Sequence, residues 1–456
     1  MARDQVDLRP IERRDELVEW IAQGVRPRSQ FRIGTEHEKF AFTLEGHSPV
    51  SYEGERGISA LLAGMQRSLG WQPTIEAGNL IGLYDEAGGG AISLEPGGQF
   101  ELSGAQVDTL HQCAAELKAH FTHAGEVARR LGIGFLGIGM TPNWRRGEMP
   151  KMPKGRYTIM TSYMPKVGTL GLDMMYRTCT VQANLDFSSE ADMVKKLRVS
   201  LALQPLATAL FANSPFTDGR PNGFLSFRSE IWRHTDNARS GMLPWVFEPG
   251  MGFERWVDYA LEVPMYFIKH DDKYIDVAGQ SFRDLMAGTL PGMPGIRATI
   301  SDWANHLSTI FPEVRLKRYL EMRGADAGSL ANLLALPAFW VGVLYDEVSL
   351  DAAWDLVKSW TAEERQKLRD DVPRAALGAT IRGASLGEVA AEVLKLARFG
   401  LARRKRLDGL VGDETRYLDV LEDRLARGTT PAEELLKRYQ GPWAGSIEPI
   451  YLDQAY

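Results

Sequence analysis

Cysteine is nearly absent from the chain: Cys113 and Cys179 are the two it has. Two thiols make neither a CxxC zinc site nor a disulfide framework, so both read as reduced, half-buried side chains. The eight histidines are scattered, with no HExxH or paired spacing, which removes the usual zinc-enzyme signature. No apolar run approaches the length of a membrane-spanning helix. Residues 1–10 are polar and charged, without an apolar signal region. There is no GxxxxGK[ST] motif, so nucleotide phosphates need some cradle other than a P-loop. A basic excess is missing as well: the net charge is −6, which argues against nucleic acid as a partner. These absences lead to the expectation of a cytoplasmic protein with no nucleic acid and no membrane among its partners.

The chain does have material for a large core, with 44% hydrophobic and 25% charged residues over 456 positions. Strand and helix patterns do not alternate as βαβ, which favours an α+β fold with an antiparallel sheet. Residues 31–44 read as a strand, 57–70 as a helix, 73–86 as a hairpin and 91–103 as a strand. A helix over 106–131 and a short strand over 133–140 follow. Residues 141–172 read as a long loop rich in Pro, Gly and Met, and 213–252 as loop. Strand 174–187 shows clear period-two alternation, with Val181, Ala183 and Leu185 opposite Thr180, Gln182 and Asn184. Segment 313–324 reads as one strand. Beyond about residue 345 only helices are expected, the last starting at Thr430-Pro431-Ala432-Glu433 with a capping box. This divides the chain into a sheet region over 1–345 and a helical region over 346–456 packed on it.

Four stretches concentrate chemistry. Glu36 and Glu38, two apart on a strand, share one face, and like charges that close stay ionised only beside cations, either magnesium or, on an exposed strand edge, Lys39 or Arg32. Glu95, Gln99 and Glu101 share a parity around Pro96-Gly97-Gly98, which reads either as a bulge that re-aims side chains or as a plain turn. Glu313, Arg315, Lys317, Tyr319, Glu321 and Arg323 fall on one face, either a solvated outer face or the lining of a wet cavity. Thr178, Thr180, Gln182, Asn184 and Asp186 form a polar face suited to an amino-acid substrate, or to water. A GxGxxG match at 132–137 is rejected because it follows a helix and is itself the strand, inverting the dinucleotide-site context. The basic run at 403–406 reads as a solvated helix face.

The strings RIGTEHEKF at 32–40, ISLEPGGQFELSG at 92–104, MMYRTCTVQ at 174–182, NLDFSSE at 184–190, PNGFLS at 221–226 and FPEVRLKRYLEMRGAD at 311–326 together resemble the plant-type glutamate–cysteine ligases, a family also found in proteobacteria. The likeness runs from about residue 11 to the C-terminus. It implies a curved antiparallel sheet with flanking helices, similar to the catalytic fold of glutamine synthetase. It also implies L-glutamate, L-cysteine and ATP as substrates, joined through a γ-glutamyl phosphate in the first step toward glutathione. Two or three magnesium ions carrying ATP, and a monomer or weak homodimer, belong to the same expectation. On this resemblance Glu36, Glu38, Glu95, Glu101 and Glu321 are the expected magnesium ligands. Arg315, Lys317 and Arg323 are expected on the phosphates, and Arg156, Arg177, Asn184, Arg228 and Trp232 on glutamate. Ligation of a different amine, or a non-catalytic nucleotide or metal sensor on the same fold, is the alternative. One departure stands out. The cysteine pairs of plant members fall near Val277 and Gly292, and at Cys113 and near Leu334, so no pair is complete here.

Overall fold

Where the central strand puts its side chains decides where the helices and the cavity lie. The computed structural model describes residues 7–270, 273–409 and 412–456. The main-sheet strands are β1 (Ile33–Thr43), β2 (Gln72–Glu76), β3 (Asn79–Tyr84), β4 (Ala91–Leu94), β5 (Phe100–Ser103), β6 (Ile133–Leu136), β7 (Thr180–Leu185), β8 (Val314–Leu316) and β9 (Leu320–Asp326). They pair in the order β8–β9–β7–β1–β5–β4–β3–β2, and β6 pairs with the far half of β1. Every one of these pairings is antiparallel, and the sheet is open.

Side chains alternate across a strand, and β1 is covered on both faces. His37 stacks on Phe121 and meets His120 edge-on, both on helix Leu110–Arg130. Lys39, on the same face, has no exposure; it donates to the Phe100 carbonyl at 3.1 Å among the rings of Phe100, Phe121 and Phe135. The opposite face carries Glu36 and Glu38, then Phe40 and Phe42, which join a second core against Trp144 and Tyr451.

Val181, Ala183 and Leu185 of β7, with Leu320 and Met322 of β9, pack on helix Glu190–Leu210. Helices Leu330–Leu344 and Leu386–Arg404 extend the same core. They cross through glycines: a Cβ on Gly400 would lie 1.9 Å from the Gly342 carbonyl oxygen, and one on Gly342 2.2 Å from that of Ala397. Thr430 caps helix Pro431–Gln440 with the expected capping box.

Four expected segments come out differently. Residues 174–187 divide into a helix, Gly171–Arg177, and strand β7. The continuous strand over 313–324 is the hairpin β8–β9, with Arg315 opposite Glu321. Parity survives the reversal, because residues symmetric about the turn share a face, and no Gly or Pro at 317–319 betrays it. The loop over 141–172 holds helix Gly155–Val167, and the stretch 213–252 holds helix Phe227–Arg233.

Gly400→Val should destabilise the fold by about 3 kcal/mol, the upper end for overpacking a core, read as a lowered midpoint in urea with an unchanged slope. Cys113 and Cys179 are both buried and free, and position 334 is leucine. Adding reductant should therefore leave activity and sedimentation unchanged; a change in either would count against this assignment.

Candidate active site

Adjacent strands of one sheet bring four carboxylates together. Glu36 and Glu38 come from β1, and Glu101 of β5 lies directly opposite Glu38. Pro96-Gly97-Gly98 is a full reversal between β4 and β5 rather than a bulge within one strand. Gly98 sits at φ +80°, where a side chain is strained. A Cβ on Gly97 would lie 2.3 Å from the Tyr176 carbonyl oxygen. This turn delivers Glu95 to the space shared by the other three. Together with Gln182, Arg156, Arg228, Trp232, Arg315 and Arg323, these acids line a cavity of about 770 Å³ including its open mouth.

Each acid is aimed by a neighbour. Glu36 Oε1 accepts from Asn184 Nδ2 at 2.9 Å, and Glu38 Oε2 from the Thr180 amide at 2.9 Å. Glu101 Oε2 accepts from Ser93 Oγ at 2.5 Å, and Glu95 Oε1 from the Tyr157 hydroxyl at 3.3 Å. Burial, with repulsion from Glu95 and Glu101, holds Glu38 well above the usual carboxylate range. Burial and Glu101 push Glu95 up to about 7. Glu38 and Glu95 are thus short of positive charge, whereas Glu101 is lowered despite its burial, with the Ser93 hydrogen bond and Lys154 favouring its charged form.

The cation side is organised differently. Glu321 has no exposure, and burial alone would raise it. Arg315 Nη2 reaches both its oxygens at 2.7 and 2.9 Å, Lys317 Nζ lies 2.9 Å away, and Arg323 Nη1 also pairs with it. These three cations hold it well below the usual range. Arg323 further donates to Gln182 Oε1 at 2.7 Å and lies over the Phe311 ring.

The sequence expectations separate accordingly. Glu36, Glu38, Glu95, Glu101, Arg156, Arg228, Trp232, Arg315 and Arg323 meet at the cavity. Asn184 and Lys317 stand behind it, on Glu36 and Glu321. Glu321 is engaged by three cations, so its oxygens are committed within the protein. Arg177 is not brought to the cavity: it pairs with Asp173 at 3.1 Å and Asp218 at 2.6 Å and donates to Thr141 Oγ1. Tyr157, Met160, Met174, Met175 and Phe311 line the cavity without having been singled out, and Lys154 donates to the Leu94 carbonyl at 3.0 Å beside it. Tyr157 and Met160 carry no signal beyond the neighbouring Arg156, whereas Met174, Met175 and Phe311 lie within the strings that carry the family resemblance.

The donor set suits magnesium. Four carboxylates offer hard oxygens, yet among the described residues no three acidic, histidine or cysteine side chains form a group able to hold an ion. Magnesium retains waters and is commonly held by one or two carboxylates together with substrate phosphates, so acids spread around the lining of one cavity fit it.

Comparison with known proteins agrees with this arrangement. The family model for glutamate–cysteine ligase family 2 (GCS2) matches residues 32–453. The chain is 55% identical over 443 residues to a chloroplastic glutamate–cysteine ligase of Nicotiana tabacum, covering 97% of this chain and 83% of the relative. It is 54% identical, with the same coverage, to that of Arabidopsis thaliana. The fold is shared with a crystal structure of glutamate–cysteine ligase from Francisella tularensis in complex with AMP, at a TM-score of 0.54 and 12% identity, over 93% of this chain and 87% of that one. The cytoplasmic expectation is overturned by these relatives, which are chloroplastic. An acidic chain with two buried thiols suits either compartment, so composition carried no information on the choice. Nearly full-length identity above one half, and a family model spanning the acid wall and the cation cluster alike, show that the chain belongs to glutamate–cysteine ligase family 2.

Proposed function

We propose that the chain joins the γ-carboxylate of L-glutamate to the amine of L-cysteine, driven by cleavage of ATP to ADP and phosphate. The observation that carries the reading is one cavity lined by four carboxylates together with four guanidinium groups, those of Arg156, Arg228, Arg315 and Arg323. A free carboxylate resists attack by an amine, because it is anionic and has no competent leaving group. Phosphorylation of its oxygen gives a γ-glutamyl phosphate; the amine then forms the amide bond, phosphate leaves with the C–O electrons, and the amine gives up a proton.

Glu36, Glu38, Glu95 and Glu101 are the residues that would hold magnesium, which when bound neutralises phosphate charge and orients the chain of phosphates. Arg315 and Arg323 face the cavity with Lys317 behind them, and the three are assigned to charge developing on the transferred phosphoryl group. Glu321 keeps that trio in place before substrate arrives, so little reorganisation is needed at the reacting centre. Arg156, Arg228 and Trp232 are assigned to glutamate: the fork of a guanidinium suits its α-carboxylate, and Arg228 Nε and Trp232 Nε1 have no hydrogen-bond partner within the described protein. Tyr157 and Met160 from 141–172, and Arg228 and Trp232 from 213–252, wall the cavity and help keep water from the acyl phosphate.

Glu36→Gln should lower ligation by on the order of a hundredfold, as when one electrostatic partner of a transition state is lost. It should also raise the magnesium concentration needed for half-maximal ADP release; full activity at ordinary magnesium would refute the assignment. Across a panel of amino acids, phosphate release should show its highest kcat/KM with cysteine, and preference for another amine would displace cysteine as acceptor.

A further inference from the structure

Helix Ala362–Ala375 lies outside the sheet, yet one of its faces is given over to the segment that carries Arg228 and Trp232. The Pro373 carbonyl accepts from the amides of Leu225 and Ser226 at 2.8 and 3.0 Å. Arg233 Nη2 pairs with Asp370 at 2.8 Å, and Arg374 donates to the Gly223 carbonyl at 3.2 Å while covering the Phe224 ring. At the centre is Arg369, 4% exposed, whose Nη2 donates to the Ser229 carbonyl at 3.0 Å and whose Nε pairs with Glu313 Oε1 at 2.5 Å.

Glu313 reaches the other side of the site. Its carbonyl accepts from the Arg323 amide at 3.2 Å, and its side chain is so close to the next residue that a Cβ on Gly324 would lie 2.9 Å from Oε2. The register of β9 against β7 shifts between Met322 and Ala325, right at this contact. Arg228 closes the circuit by donating from Nη2 to the Arg323 carbonyl at 3.1 Å. A narrow cleft lined by Arg369, Glu313, Arg228, Trp232 and Arg323 shares its last three walls with the main cavity, and Arg369 Nη1 is buried there with no hydrogen-bond partner among the described residues.

We propose that Arg369 is a positioning residue for the ligation: through Ser229 and Glu313 it fixes the spacing between the helix bearing Arg228 and Trp232 and the strand bearing Arg323, and so sets the substrate subsite between them. Only a planar guanidinium spans both acceptors at once; a lysine ammonium can keep the charge on Glu313 but not the fork. The identity of the substrate as glutamate rests on the function proposed above, whereas the coupling of Arg369 to Arg228 does not.

The test compares Arg228→Lys, Arg369→Lys and the double variant Arg369→Met/Glu313→Gln, which leaves no unpaired buried charge. Arg228→Lys identifies the substrate this helix serves by the KM that rises. The double variant should raise that same KM about tenfold, the scale of a small misplacement, with the other two KM values within twofold and a similar melting temperature. If Arg228→Lys moves a KM other than that for glutamate, the glutamate assignment falls while the coupling is still judged by the shared KM. A stably folded double variant with no KM change, a rise in a different KM, or an Arg228→Lys that moves none overturns the proposal. Should the double variant fail to fold, Arg369→Lys decides: a smaller rise in the same KM supports positioning, and unchanged KM values overturn it.

Discussion

A carboxylate sealed from water keeps its charge only when cations surround it, and Glu321 is surrounded by three. Arg315, Lys317 and Arg323 all take their places from this one buried anion. Because β8 and β9 are antiparallel and Arg315 faces Glu321 directly, the hairpin itself dictates the cluster. Removing the anion would leave three like charges in one pocket, and removing any cation would leave the anion under-compensated. The cation cluster is therefore already paired before any substrate is present.

The acid wall is the reverse case. Glu38 is displaced upward by burial and by Glu95 and Glu101, and Glu95 by burial and by Glu101, so added positive charge would favour the ionised form of both. On the function proposed above, a phosphate chain would take its orientation from the difference between the paired cation cluster and the acids that call for added cations. The same asymmetry explains why identical residue types have unlike fates. Glu321 and Glu36 both sit on central strands, but one is committed to protein cations and the other to a single amide hydrogen bond.

How much of this was legible in the sequence follows from which signals are local. Period two in β1 and β7 placed Glu36, Glu38 and Gln182 correctly, because alternation needs no knowledge of partners. The charged face of 315–323 was also legible, although as one strand; parity is blind to a hairpin lacking turn residues. Helix Gly155–Val167 was not, since Pro165 lies within it and the buried Arg156 falls in the middle of its apolar stripe, breaking the pattern. Arg177 was misplaced for a related reason. Asp173 four residues earlier is its partner, a spacing that carries meaning only once 171–177 is known to be helical. Arg369 gave no signal, because its two acceptors lie 140 and 56 residues away.

The strand order has a consequence for how the molecule comes into being. β1 is complete at residue 43, but its neighbour β7 begins at residue 180, and β9 follows only at 320. At a ribosomal pace of about 5–20 residues per second, one edge of β1, with its acids and aromatic residues, waits on the order of ten seconds for a partner. Contacts so distant along the chain also make for slow folding. The nascent chain consequently passes through a long interval as an open half-sheet, which makes the early steps of biogenesis, rather than the finished fold, the stage most exposed to misassembly and to dependence on chaperones.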